Sequence, residues 1–239
     1  MRSVLSFAQS NKEIILTPDI EKFRELKIRL LNGSHTFTCG IALLAGFNTV
    51  KEAMANEAFA HFINKLMKEE ITDAIQSNSI NRSEAIDFSG KVLDRYRNPF
   101  IEHQWLSICM NYSSKMHMRN VPLFYAYHQK KSTVPALMSL GMAGHILFMR
   151  SREQDGYFYG KVNEMDYKIS DSNAAWYQQA WEQEGAAKIV ETVLANKSIW
   201  QSDLNEIKGF SHEVNYWLQQ LLTHGAQATL ENVQTKISI

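Results

Sequence analysis

From Ser132 to Met149 the chain carries no charged residue, and a run of that kind has to leave water whatever surrounds it. Two destinations exist, a bilayer or a protein core. The run includes Pro135, Gly141, Gly144, His145 and several hydroxyl side chains and is short for a span, so the expectation is a buried helix at the centre of a core, with no membrane segment. A core of that kind needs a chain long and apolar enough to surround it. At 239 residues, 45% of them apolar and 21% charged, the chain meets the requirement as one large domain or two small ones, and intrinsic disorder is excluded. Only 11 Gly and 4 Pro are available for tight turns, too few for a sandwich or a barrel, so the fold class expected is an all-α, multi-helical domain.

Lys and Arg together number 25 and so do Asp and Glu, which leaves no net field to attract a polyanion; no nucleic-acid partner is expected. Cys39 and Cys109 show neither Cys-x-x-Cys nor Cys/His spacing, which gives no support for a metal site or a disulfide framework. Reduced, buried thiols in a cytoplasmic protein are the reading. The segment from Met1 to Lys12 turns polar almost at once, so no targeting signal is expected.

Local signals divide the chain into an extension over residues 1–16 and a helical domain over 17–239. Thr17-Pro18-Asp19 marks a helix start, with a capping hydroxyl, a proline tolerated at the first position and an early acid. That helix should pass through Phe23, Leu26 and Leu30 and meet a break or kink at Asn32-Gly33. The small, apolar stretch from Cys39 to Ala45 then stops at Gly46. Thr49 and Glu52 form a capping box that opens a long amphipathic helix to about Gln76. Another helix spans 83–96 and ends where Asn98-Pro99 disfavours continuation, and a further one is expected over 100–111. The Asp155-Gly156 turn and the alternation over 157–169 suggest one small β-hairpin. Three or four more helices fill the remainder, punctuated by Asp203, Gly209 and Gly225. The pair Gly141 and Gly144 lies inside the apolar helix with no strand before it, where helix packing explains it better than a nucleotide loop.

Between Lys27 and His35, three groups able to handle protons fall within nine residues: Lys27, Asn32 and His35. On a continuous helix Asn32 and His35 share a face, and the long Lys27 side chain reaches toward it. A lysine enclosed in an apolar pocket loses ammonium solvation and becomes a metal-free acid/base for a substrate hydroxyl. Asn32 then donates to an oxygen becoming alkoxide-like, and His35 bonds the same oxygen or holds the lysine amine. Lysine on a helix surface and Asn before Gly are also everyday features, so spacing by itself leaves both readings open.

The run from Lys27 to Asn56, followed by that from Asp94 to Leu123, resembles the C-terminal substrate domain of the polyol-specific long-chain dehydrogenase family, to which mannitol dehydrogenase belongs. Within it the similarity leans toward the tagaturonate (altronate) oxidoreductase branch, through His103 after Asn98-Pro99, the stretch from Asn111 to Lys115 with Arg119 soon after, and the late segment from Ile199 to Leu204. The resemblance implies a metal-independent, NAD-dependent interconversion of tagaturonate and altronate, with Lys27 as acid/base and Asn32 and His35 around the reacting oxygen. It points to Lys115 and Arg119 for the carboxylate end of a uronate, since a desolvated carboxylate needs a charged partner, and to His103 for a substrate hydroxyl. A solvated basic cluster and a packing histidine are the competing readings of these three residues. Arg95 is assigned to structure, bonding carbonyls around the Asn98-Pro99 corner.

The same family implies a nucleotide-binding domain ahead of the helical one. Only about 16 residues precede the first expected helix here, and a dinucleotide unit needs about 30. No Rossmann domain is therefore expected in this chain, and its cofactor-binding residues are unassigned. Two readings follow: the substrate and catalytic half of a uronate or polyol oxidoreductase, completed by a nucleotide-binding domain in trans or in a longer chain, or a non-catalytic, stand-alone helical domain. Either leaves an apolar docking face exposed, with self-association as a consequence.

Overall fold

The computed structural model describes residues 6–11, 14–75 and 79–237. After a short turn of helix, α1 (Phe7–Ser10), the domain begins with α2 (Glu21–Leu26), which runs without a break through a π-helical stretch (Lys27–Gly33) into α3 (Ser34–Leu44). The start is later than the sequence signal: Asp19, not Thr17, caps the helix by accepting from the Glu21 amide at 2.8 Å, while Thr17 bonds Asp19 itself. Asn32-Gly33 does not interrupt the helix. Gly33 keeps helical angles (φ −66°, ψ −45°), and the wider π turn absorbs the irregularity. Gly46, at φ 89°, provides the expected stop.

The capping box at Thr49 and Glu52 opens α4 (Val50–Ala55), but Asn56 leaves helical geometry and caps a new helix, α5 (Glu57–Lys65), through the Phe59 amide. A second π stretch (Leu66–Ile71) and α6 (Thr72–Ala74) follow; the expected end at Gln76 lies outside the described residues. A capping box at Asn81 and Glu84 starts α7 (Arg82–Tyr96). The helix expected over 100–111 shrinks to α8 (Trp105–Ile108). Residues just before it pair instead with the start of α4, where the Val50 amide donates to His103 O and the Trp105 amide to Asn48 O, each at 2.9 Å. Two helices that no signal had separated, α9 (Tyr112–Arg119) and α10 (Val121–Lys131, with Pro122 in its first turn), lead to α11 (Ala136–Phe148).

Helix α11 is the apolar run anticipated at the centre, buried along nearly its whole length and packed between α3 and α14 (Phe210–Ile237). Its glycines explain the approach to α3. A Cβ on Gly144 would lie 2.3 Å from Ile41 Cγ1, and one on Gly141 would lie 2.6 Å from Phe37 Cδ1, so the crossing tolerates no side chain at either position. Between them, α12 (Ala174–Leu194), broken at Gly185, and α13 (Lys197–Trp200) complete the helical layer. The hairpin is a three-stranded antiparallel sheet, β1 (Arg152–Gln154), β2 (Tyr157–Val162) and β3 (Met165–Ile169). Both of its turns have positive φ at the two central residues, Asp155-Gly156 and Asn163-Glu164, the pattern of type I′ turns. Cys39 and Cys109 are buried free thiols, and no helix among the described residues is long and apolar enough to cross a membrane.

Candidate functional site

The π stretch contains Lys27 and Asn32, and His35 follows one residue into α3. In a regular α-helix, residues five apart diverge by about 140°, at roughly 100° each. A π turn brings residue i+5 round to bond residue i, so the irregular backbone swings Asn32 back toward the side of Lys27.

Four consecutive carbonyls of this turn, from Leu30 to Gly33, each accept a side-chain donor. Ser34 Oγ donates to Leu30, Tyr96 Oη to Leu31 at 2.7 Å, Thr36 Oγ1 to Asn32 at 2.8 Å and Asn120 Nδ2 to Gly33 at 3.2 Å. Arg119 in turn donates to Thr36 Oγ1 at 3.1 Å, and Arg29 donates to the carbonyls of Met118 and Arg119, tying α9 to the turn. These four carbonyls are thus occupied while the candidate side chains are not. Lys27 is exposed, Asn32 is half-buried, and neither side chain has a hydrogen-bond or ion-pair partner among the described residues. The enclosed apolar pocket expected around Lys27 is not formed by the described residues, which leave its side chain exposed.

His35 is in the opposite situation. Its ring stacks on Tyr96 at 4.1 Å between centroids and meets the edges of His103 at 5.4 Å and Trp105 at 5.8 Å. Burial, then the neighbouring His103 and Arg119, push its pKa down to about 3, so the imidazole is neutral at pH 7, and its Nε2 is buried without a partner. A cavity of about 190 Å³, lined by Leu31, His35, Val50, Arg95, Tyr96, Ile101 and His103, lies beside it. His103 itself is exposed, carried to His35 by the pairing with residues 48–50 and not by a helix.

Lys115 and Arg119 lie one turn apart on α9, both partly buried, and neither has a carboxylate within ion-pair distance among the described residues. Lys115 spends one proton on Ile108 O at 3.0 Å. Burial and the adjacent Arg119 lower its pKa. The Arg95 side chain makes no bond to the carbonyls of the Asn98-Pro99 corner among the described residues; only its backbone O takes part, accepting from the Asn98 amide at 3.2 Å. That corner closes through the backbone and through Asn98 Oδ1, which accepts from the Phe100 amide at 3.0 Å, leaving the Arg95 side chain at the cavity. Tyr96, Thr36 and Trp105 are site residues that sequence reasoning missed; no local pattern joins Tyr96 to a histidine 61 positions earlier. Among the described residues no group of three or more His, Cys, Asp or Glu is placed to hold a metal ion.

The sequence model of the mannitol dehydrogenase C-terminal domain family matches residues 19–222. The chain belongs to that family. It is 34% identical over 220 residues to altronate oxidoreductase from Escherichia coli O139:H28, covering 89% of this chain and 43% of the relative, and 33% identical to the altronate oxidoreductase of Escherichia coli O7:K1. In fold, this mannitol dehydrogenase C-terminal domain matches Pseudomonas fluorescens mannitol 2-dehydrogenase, solved as a ternary complex with NAD and D-mannitol, with a TM-score of 0.76 at 22% identity over 92% of this chain and 42% of that one. A substrate-free D-sorbitol dehydrogenase gives 0.68 at 16% identity over 90% and 41%. The chain therefore spans less than half the length of these relatives.

Proposed function

We propose that the chain supplies the substrate-binding and proton-transferring part of an NAD-dependent oxidoreductase that interconverts tagaturonate and altronate in sugar-acid metabolism, in a cytoplasmic setting. The observation that carries the reading is the π turn itself: a rare backbone form, with side-chain donors on its last four carbonyls, presents Lys27 and Asn32 without partners among the described residues and leads into a neutral His35. Similarity to altronate oxidoreductases over most of the chain supports the substrate class.

In this reading the Lys27 ammonium gives its proton to the keto oxygen as that oxygen becomes a hydroxyl, and the amine takes it back in the reverse direction. The Asn32 amide donates to the oxygen while it carries charge. His35, neutral and with Nε2 free, bonds the same oxygen or orients the lysine amine. Lys115 and Arg119 receive the uronate carboxylate, and His103 meets a substrate hydroxyl.

The residues present do not fit the cofactor. The sheet among the described residues is an antiparallel meander with no βαβ unit, so they offer no dinucleotide cradle. A nucleotide-binding domain, in trans or in a longer chain, is the partner this reading needs. The exposed apolar residues at the cavity rim, Ile101 at 51% exposure and its neighbour Phe100 at 93%, support a face that such a domain covers. The exposure of Lys27 favours a second reading, a stand-alone helical domain without turnover.

The test is NADH oxidation with tagaturonate, run on this chain alone and on the chain supplemented with a nucleotide-binding domain of a related enzyme. Turnover in the supplemented sample only supports the first reading; a folded chain inactive in both favours the second. In an active assembly, Lys115→Ala and Arg119→Ala should weaken uronate binding more than binding of a neutral polyol, and equal losses would remove them from the carboxylate subsite.

A further inference from the structure

Tyr96 ends α7, and its side chain touches both the π turn and the His35 ring. One face of its ring covers His35, with centroids 4.1 Å apart and planes 15° from parallel. Its hydroxyl donates to Leu31 O at 2.7 Å and lies 2.9 Å from Ser34 Oγ, which itself donates to Leu30 O. Packing alone does not require that hydroxyl. A buried phenol is costly unless bonded, and phenylalanine would keep the stack on His35 without the polar group. Burial also raises the Tyr96 phenol far above its ordinary range, so it stays a donor at any working pH. The other three of the four bonded carbonyls are held by Ser34, Thr36 and Asn120.

We propose that Tyr96 is a positioning residue: its ring fixes the plane of the His35 imidazole while its hydroxyl holds the π turn that carries Lys27 and Asn32, so one side chain from a separate helix sets the mutual orientation of all three. This rests on the proton-transfer reading above only for its kinetic consequence; the mechanical claim concerns the turn and the ring.

The two roles separate by substitution. Tyr96→Phe keeps the stack and removes the bond to Leu31; Tyr96→Leu removes both. Hydrogen exchange on the 239-residue chain should show amides between Leu31 and His35 exchanging at least tenfold faster in Tyr96→Phe, with α11 amides unchanged. In the assembled oxidoreductase the same variant should lose at least tenfold in kcat with KM within twofold. Histidine NMR should leave the His35 titration where it is in Tyr96→Phe and move it upward toward ordinary imidazole behaviour in Tyr96→Leu. Wild-type exchange at those amides in Tyr96→Phe overturns the proposal whatever kcat does, and so does an unmoved His35 titration in a folded Tyr96→Leu. An assembled wild-type enzyme without turnover defeats the functional reading instead, and exchange and titration still decide the role of Tyr96.

Discussion

The chain contains two π-helical stretches, Lys27–Gly33 and Leu66–Ile71, and they put the same backbone irregularity to opposite uses. The first faces outward. Its carbonyls are bonded by side chains from the core, and Lys27 and Asn32 are left exposed and half-buried without partners. The second turns one of its charged residues, Glu70, into the core, where it is consumed. Glu70, 8% exposed, accepts from the Leu137 amide at 2.9 Å and the Met138 amide at 2.7 Å, and so caps the N-terminus of α11 from a different helix. A widened turn redirects side chains in either case; at the first they meet solvent, and at the second one of them meets another helix end.

The comparison breaks if the first turn proves structural. Lys27→Met should lower kcat in the assembled enzyme by about 10²- to 10⁴-fold, the range for a general acid/base, with the unfolding midpoint of the chain nearly unchanged. Retained turnover, or a collapse in stability, would place Lys27 with Glu70 instead. On the second turn the expectation reverses. Glu70→Ala leaves two buried amides unpaired and should cost about 2 kcal/mol in denaturant unfolding, while the environment of His35, read by NMR, stays as it was.

A pH series sharpens the contrast. Burial pushes Glu70 up to about 7 from an ordinary 4.5, so the folded state holds this proton more tightly than the unfolded one. Its contribution is fully present below about pH 4.5 and is lost as pH rises through 7, with a slope of at most about 1.4 kcal/mol per pH unit. His35 and His145, pushed down to about 3 and about 4, act in the other direction and cost stability as pH falls below about 6.5. The stability difference between wild type and Glu70→Gln, followed from pH 4.5 to 7.5, isolates the carboxylate, and a flat difference would mean that Glu70 does not titrate in this window. The smallest effect belongs to Thr36→Val, which removes the donor to Asn32 O and should cost about 1 kcal/mol in stability. Its companion expectation is faster exchange at the first π turn and none at the second.

Much of the fold was legible because its signals are local. The uncharged run from Ser132 to Met149 became the buried α11, the Thr49–Glu52 box opens α4, Gly46 ends α3, and Gly141 and Gly144 serve helix packing. The misreadings were also local in origin. Asn32-Gly33 has the composition of a break, yet donors from Tyr96 on α7 and Asn120 beyond α9 hold that turn within the helix. The segment after Pro99 has helical periodicity, but its backbone pairs with residues 48–50, which no local pattern reports. The enclosure expected around Lys27 is likewise a tertiary property, and the described residues do not provide it.

By itself the sequence determined the helical class, the central apolar helix and the family, and it nominated Lys27, Asn32 and His35 as candidates, because burial of one apolar run and spacing along one helix are decided by neighbours in the chain. Only the tertiary structure decided that His35 is a neutral ring between Tyr96, His103 and Trp105, that Arg95 turns to the cavity, and that Glu70 is a cap in the core. Those outcomes depend on groups brought together from distant positions, where desolvation and unpaired donors set the energies, and no local pattern carries that information.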